Sequence, residues 1–185
     1  HAACYLTHAG IDALKKLKED HKLKVDQVER IEQFVPKTHF SVCNIAEPET
    51  GLEVKFSMRH TAAMTLADVD TGSLHSYSDD IAKRPDLIQL RDKVNIIDKP
   101  FNSRMQSEVV VHLKDKGVVH QFSDAGVPES NLDKQETKLI RKFNSLVIPI
   151  FGEEASQSIL DKCLKLEILE NVADLFNDVT LSNAS

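Results

Sequence analysis

Residues 108–123, with the sequence EVVVHLKDKGVVHQFS, contain the pattern that decides the fold class. Apolar and polar residues alternate on both sides of the tripeptide DKG, and this alternation is typical of a β-hairpin. We predict strands over 108–114 and 118–123, joined by a three-residue turn. This turn would place His112 directly opposite His120, either as exposed sheet histidines or as part of a metal site. Because zinc needs three or four ligands, the pair alone predicts no metal site.

The residues after the hairpin carry the pattern of helices instead. A stripe of large apolar residues recurs at helical spacing, at Leu139, Ile140, Phe143, Leu146 and Val147. Asp133 and Glu136 resemble a capping box before this stripe, and Pro149 with Gly152 would end the helix. We expect three helices to finish the chain, the last two over 153–166 and 168–176.

The residues before the hairpin predict a mixture of helices and strands. Thr7 and Ser57 are expected to cap helices, and Pro85 is expected to begin one. The predicted helices cover 8–20, 58–67 and 85–93, the predicted strands cover 28–35 and 94–98, and 36–54 is predicted as loop. This order favours an α+β fold, with a small antiparallel or mixed sheet covered by helices and a helical C-terminal segment.

The composition limits the classes of function. The chain has 185 residues, 41% hydrophobic and 28% charged, with a net charge of −6, which is ordinary for a soluble globular protein. We expect neither a nucleic-acid partner nor a membrane partner, since the chain has no basic stripe and no long apolar run. Three widely separated cysteines, Cys4, Cys43 and Cys163, predict free thiols and a cytoplasmic location.

Two histidines fall in the first turns of predicted helices. His8 follows Thr7, and His60 lies three residues after Ser57 with Arg59 beside it. Helix N-termini attract anions, and the same potential disfavours a protonated imidazole. Two such ends facing one cleft would suit a substrate with several carboxylates. The alternative is that both histidines are partly buried and satisfied locally.

Cys4 and His8 are four residues apart, so they could form a nucleophilic pair or contribute two metal ligands. Spacing alone does not distinguish either possibility from an inert free cysteine. The chain contains no phosphate-binding glycine loop, no dinucleotide fingerprint and no paired CxxC motif.

The same segments carry a resemblance that extends over the whole chain. HAACYLTHAGIDA at 1–13, followed by VERIE at 28–32, resembles the start of the second domain in the MmgE/PrpD family. KFSMRHTAA at 55–63 is similar to a family signature at a helix start. DLIQLRDKV at 86–94, the hairpin and the run 138–176 follow in the same order. The family includes 2-methylcitrate dehydratase, cis-aconitate decarboxylase and iminodisuccinate epimerase.

The resemblance implies a two-domain enzyme with its active site between a large helical N-terminal domain and a smaller α+β C-terminal domain. Residues 1–185 would form the smaller domain alone, and the opening at His1 rather than methionine agrees with a part of a longer protein. The implied partners are its own N-terminal helical domain, a small polycarboxylate substrate and a second subunit in a homodimer. The implied reaction is a proton abstraction beside a carboxylate, followed by elimination, decarboxylation or reprotonation, without a metal or organic cofactor.

The resemblance also assigns roles to single residues. His8 and His60 match catalytic positions of the family, while Cys4, Ser57 and Arg59 become substrate-binding candidates. A lysine that family members carry shortly before the first motif would fall upstream of this chain. Cys4 replaces a histidine found in the decarboxylase type, which argues against that activity. The alternative function is a stand-alone, non-catalytic binding or oligomerisation module.

Overall fold

The structure, a computed structural model, describes residues 1–177, so the last residues of the predicted domain 1–185 lie outside the described part. Contacts divide the chain into two compact units, 1–128 and the residues from 129 onward. The helices are α1 (His8–His21), α2 (Gly51–Val54), α3 (Met58–Leu66), α4 (Asp79–Ala82), α5 (Pro85–Arg91) and α6 (Leu132–Cys163). The strands are β1 (Val28–Val35), β2 (Val94–Asp98), β3 (Gln106–Leu113) and β4 (Val118–Asp124).

The first unit is built on one mixed sheet with the strand order β2-β1-β3-β4. β1 pairs parallel with β2 and antiparallel with β3, so that Ile31 lies between Val94 and Val111. β4 forms the outer antiparallel pair with β3. Helices and strands thus mix in one unit, and the predicted α+β fold is confirmed.

Helices α1 and α3 supply the apolar layer on this sheet. Leu14 and Leu17 of α1 and Met64 of α3 are at most 1% exposed, and they share one core cluster with Ile31 of β1. Burial of such side chains contributes about 1.5–3 kcal/mol each to the stability of the unit. The packing also fixes where α1 and α3 begin.

The hairpin forms as predicted, but its turn lies one residue earlier. Leu113 N–H donates to the Gly117 carbonyl at 2.8 Å, so Gly117 belongs to the pairing and not to the turn. Lys116, with φ 69°, adopts the left-handed conformation in this turn. The register therefore places His120 opposite Val110, and the prediction that it faces His112 is wrong.

The second unit is dominated by α6, which bends where the sequence predicted a break. Gly152 has φ 79° and ψ 170°, a conformation that leaves the helix and that glycine tolerates best. The cap is Asn131, whose side chain accepts from Lys134 N–H at 3.0 Å, so the predicted capping box at Asp133 is wrong. The predicted helix over 168–176 is also wrong, because two short 3-10 turns, Leu166–Ile168 and Val172–Phe176, occupy this region.

Within the described residues 1–177, no helix is both long enough and apolar enough to cross a membrane.

Candidate functional site

The two segments that carry the candidate histidines lie side by side. Cys4 N–H donates to the Lys55 carbonyl at 2.9 Å, and Ala2 N–H donates to the Thr71 carbonyl at 2.8 Å. The chain before α1 is thus tied both to the residues before α3 and to the loop after it. The starts of the two helices therefore belong to one region of the first unit.

His8 is the first residue of α1, as predicted, but Thr7 does not cap the helix with its side chain. The Thr7 hydroxyl donates backward to the Cys4 carbonyl at 2.8 Å, because residues 5–7 already form a 3-10 turn. The His8 side chain is half-buried, and its Nε2–H donates to the Ala3 carbonyl at 3.3 Å. In a neutral ring this donation leaves Nδ1 as the basic nitrogen.

His60 lies in the first turn of α3, and Ser57 caps that helix as predicted. The Ser57 hydroxyl accepts from His60 N–H at 3.2 Å. Both side chains are 0% exposed, so His60 does not face an open cleft of this chain. Its Nε2–H donates to the Ile81 carbonyl at 3.2 Å, and Nδ1 is buried without a hydrogen-bond partner among residues 1–177.

The surroundings of His60 keep its ring neutral. Burial lowers the pKa of the imidazole, the hydrogen bond to Ile81 opposes this effect, and the charges of Arg91 and Arg84 lower the pKa further. Ser57 and His60 are thus too deeply buried to contact a ligand directly.

Arg59 is the candidate whose side chain remains partly accessible at the start of α3. Its Nη1 donates to Asn44 Oδ1 at 2.7 Å, and in the described part of the chain it has no carboxylate partner. Burial, followed by the nearby charge of Arg91, lowers the pKa of the guanidinium. A half-buried guanidinium bonded only to an amide oxygen is suited to bind an anion, with a carboxylate as its best geometric match.

The position of Asn44 follows from backbone pairing beside the α3 start. Asn44 forms an isolated antiparallel bridge with Ser57, and Met58 N–H donates to the Cys43 carbonyl at 3.1 Å. Residues 36–54, which were predicted as loop but contain the 3-10 helix Lys37–Ser41 and α2, therefore position the amide that accepts from the guanidinium of Arg59.

Cys4 packs against an apolar cluster that contains Cys43, not as part of a metal site. Burial raises the pKa of the Cys43 thiol to about 12, which keeps it protonated. Over residues 1–177 there is no group of three or more histidine, cysteine, aspartate and glutamate side chains placed to hold a metal ion.

The contacts of His8 with His1, and those that hold His1, were not predicted from the sequence. The His1 ring contacts the His8 ring, and its two nitrogens are bonded to Asp12 and Thr71. Of these residues, only Asp12 could have been found from the sequence, because it lies four residues after His8 and thus on the same helix face.

A comparison with protein families matches the MmgE/PrpD C-terminal domain over residues 1–166, which includes the whole first unit and α6. A search of curated proteins returned no match to the chain. The matched region contains both motif segments and every candidate residue of the site. The chain therefore belongs to the MmgE/PrpD family and contains its C-terminal domain.

Proposed function

We propose that this chain is the C-terminal domain of a cofactor-independent lyase or isomerase for di- or tricarboxylates, of the 2-methylcitrate dehydratase type. The observation that carries the proposal is the backbone bond between Cys4 and Lys55, because it joins the two motif segments beside a guanidinium that has no carboxylate partner within residues 1–177. A proton acceptor and an anion-binding group on neighbouring segments are what proton abstraction next to a carboxylate needs.

The proposed roles differ among the five candidate residues. His8 transfers the proton through Nδ1, and Arg59 binds a substrate carboxylate. Ser57 and His60, which are fully buried, position the first turn of α3 rather than contacting substrate. Cys4 acts through its backbone, which ties the His8 segment to Lys55.

The remaining catalytic groups are proposed to come from the family's helical N-terminal domain, which would cover this region in a homodimeric enzyme. Removal of a single acid or base commonly costs about 10²–10⁴ in rate. The 185-residue chain alone is therefore expected to fold and to bind polycarboxylates without turning them over.

A side-by-side assay tests this function. The full-length protein and the 185-residue chain would be incubated with 2-methylcitrate, cis-aconitate and iminodisuccinate, and substrate loss would be followed by NMR. We expect turnover of at least one substrate by the full-length protein and none by the chain. Comparable turnover by both would show that the division of the active site is wrong. No turnover by either, together with no polycarboxylate binding, would favour the non-catalytic module.

A further inference from the structure

The ring of His1 is held at both of its nitrogens. Nε2–H donates to Asp12 Oδ1 at 2.9 Å, and Nδ1 is 2.7 Å from Thr71 Oγ1. The His1 side chain is 12% exposed, whereas that of Asp12 is 50% exposed. An imidazole bonded at both nitrogens cannot rotate without breaking a hydrogen bond, so the plane of this ring is fixed.

This fixed ring contacts the ring of His8. The His1 and His8 ring centroids are 5.0 Å apart with an interplanar angle of 90°. On another side, the Tyr5 ring centroid is also 5.0 Å from that of His8, at 67°. Both are edge-to-face contacts, which favour one orientation of the central ring over its rotated alternatives.

The two anchoring residues of His1 come from different parts of the first unit. Asp12 lies one turn after His8 on α1, and Thr71, which is 0% exposed, lies in the loop after α3. The backbone bond from Ala2 to Thr71 holds His1 at this loop. The orientation of His8 thus depends on α1 and on the end of the α3 region together.

We propose that His1, held by Asp12 and Thr71, is a positioning residue that fixes the ring orientation and tautomer of His8. The inference rests on the proposed function in one respect: the orientation of His8 matters for activity because His8 is the proposed proton-transfer group. The contacts with His1 and Tyr5 select the ring orientation in which Nε2–H bonds to the Ala3 carbonyl and Nδ1 remains the basic nitrogen.

Histidine NMR of the 185-residue chain tests the inference without any turnover. The ring signals of His8 would be compared between the wild type, His1→Gln and the matched control His75→Gln, which removes an exposed histidine. Loss of the edge contact is expected to reduce the preference of His8 for the Nε2–H tautomer about two- to tenfold. His75→Gln is expected to leave it unchanged. An unchanged His8 tautomer ratio in a folded His1→Gln chain would overturn the proposal.

Two further measurements distinguish positioning from general support of the fold. His1→Phe restores an aromatic edge and should recover part of the tautomer preference, and failure to recover any would contradict the ring contact as the cause. In the full-length protein, His1→Gln should lower kcat with little change in KM, because the mutation misorients the proton acceptor without removing Arg59. A change in KM alone would contradict positioning. If the wild type shows no turnover, the proposed function fails, and the NMR comparison still decides this inference.

Discussion

The backbone N–H of Cys4 donates a 2.9 Å hydrogen bond to the carbonyl oxygen of Lys55. These two residues are more than fifty positions apart in the chain. Cys4 begins the turn that leads into His8, and Lys55 precedes the cap of the helix that carries Arg59. This bond, supported by the packing of α1 on α3 in one core, brings the His8 ring and the Arg59 guanidinium into one region.

Replacement of Arg59 is expected to weaken polycarboxylate binding. Arg59→Gln removes the charge that would bind a substrate carboxylate, and a lost charge-assisted hydrogen bond should lower the affinity about 10- to 100-fold. Arg59→Lys should recover only part, because lysine lacks the planar fork. Calorimetric titration with 2-methylcitrate measures the effect. Arg30→Gln, on β1, is the matched control and should bind as the wild type does; equal affinities for all variants would exclude Arg59 from the site.

The stability of the fold is expected to fall in mild acid. His39 and His60 are fully buried, and burial lowers the pKa of both rings below the usual value near 6.5. Between about pH 6.5 and the pKa values in the folded chain, the unfolded chain binds more protons than the folded chain. The contribution of the two neutral rings to the free energy of unfolding is therefore complete above about pH 6.5 and is lost as the pH falls through the pKa values of the folded chain.

Urea unfolding at several values between about pH 7.5 and 5 measures this dependence. His60→Asn should reduce the slope of unfolding free energy against pH, since one buried titrating ring is removed. The exposed His75→Asn should retain the wild-type slope. A His60→Asn chain with the full slope would show that the buried ring does not contribute.

Gly10 is expected to resist substitution although it lies inside a helix. Alanine would gain about 1 kcal/mol from helix propensity, but its Cβ would lie 2.1 Å from Nε2 of Gln33, a side chain that is 2% exposed. Overpacking of this kind costs about 1–3 kcal/mol, so Gly10→Ala should destabilise the chain in urea unfolding. The double variant with Gln33→Ala should recover stability; a stabilised Gly10→Ala chain would mean that α1 lies farther from β1.

Much of the fold could be predicted from sequence because its signals are local. β1 and β2 have the predicted bounds, and Pro36 directly follows β1. The register of the hairpin could not be predicted, since it depends on whether Lys116 or Gly117 takes the left-handed conformation. Thr7 also has the composition of a cap, but the preceding 3-10 turn redirects its hydroxyl.

The candidate site was predicted less completely, for a physical reason. Almost every residue of α3 is buried, so the helix has no polar face to show which of its side chains reaches solvent. The sequence therefore could not separate the buried His60 from the accessible Arg59. The contacts of His1 and Asn44 could not be predicted from the sequence either, because both depend on pairings between distant segments.

The most direct test of the shared site is a titration of the isotopically labelled 185-residue chain with 2-methylcitrate, following the ring signals of His8 and the side-chain Nε–H of Arg59. If both groups serve one substrate, their signals will shift along a single binding curve, and in Arg59→Gln the His8 shift will need about 10- to 100-fold more 2-methylcitrate. The result that would contradict the account is a saturable shift of His8 that persists unchanged in Arg59→Gln, since the two residues would then serve different sites.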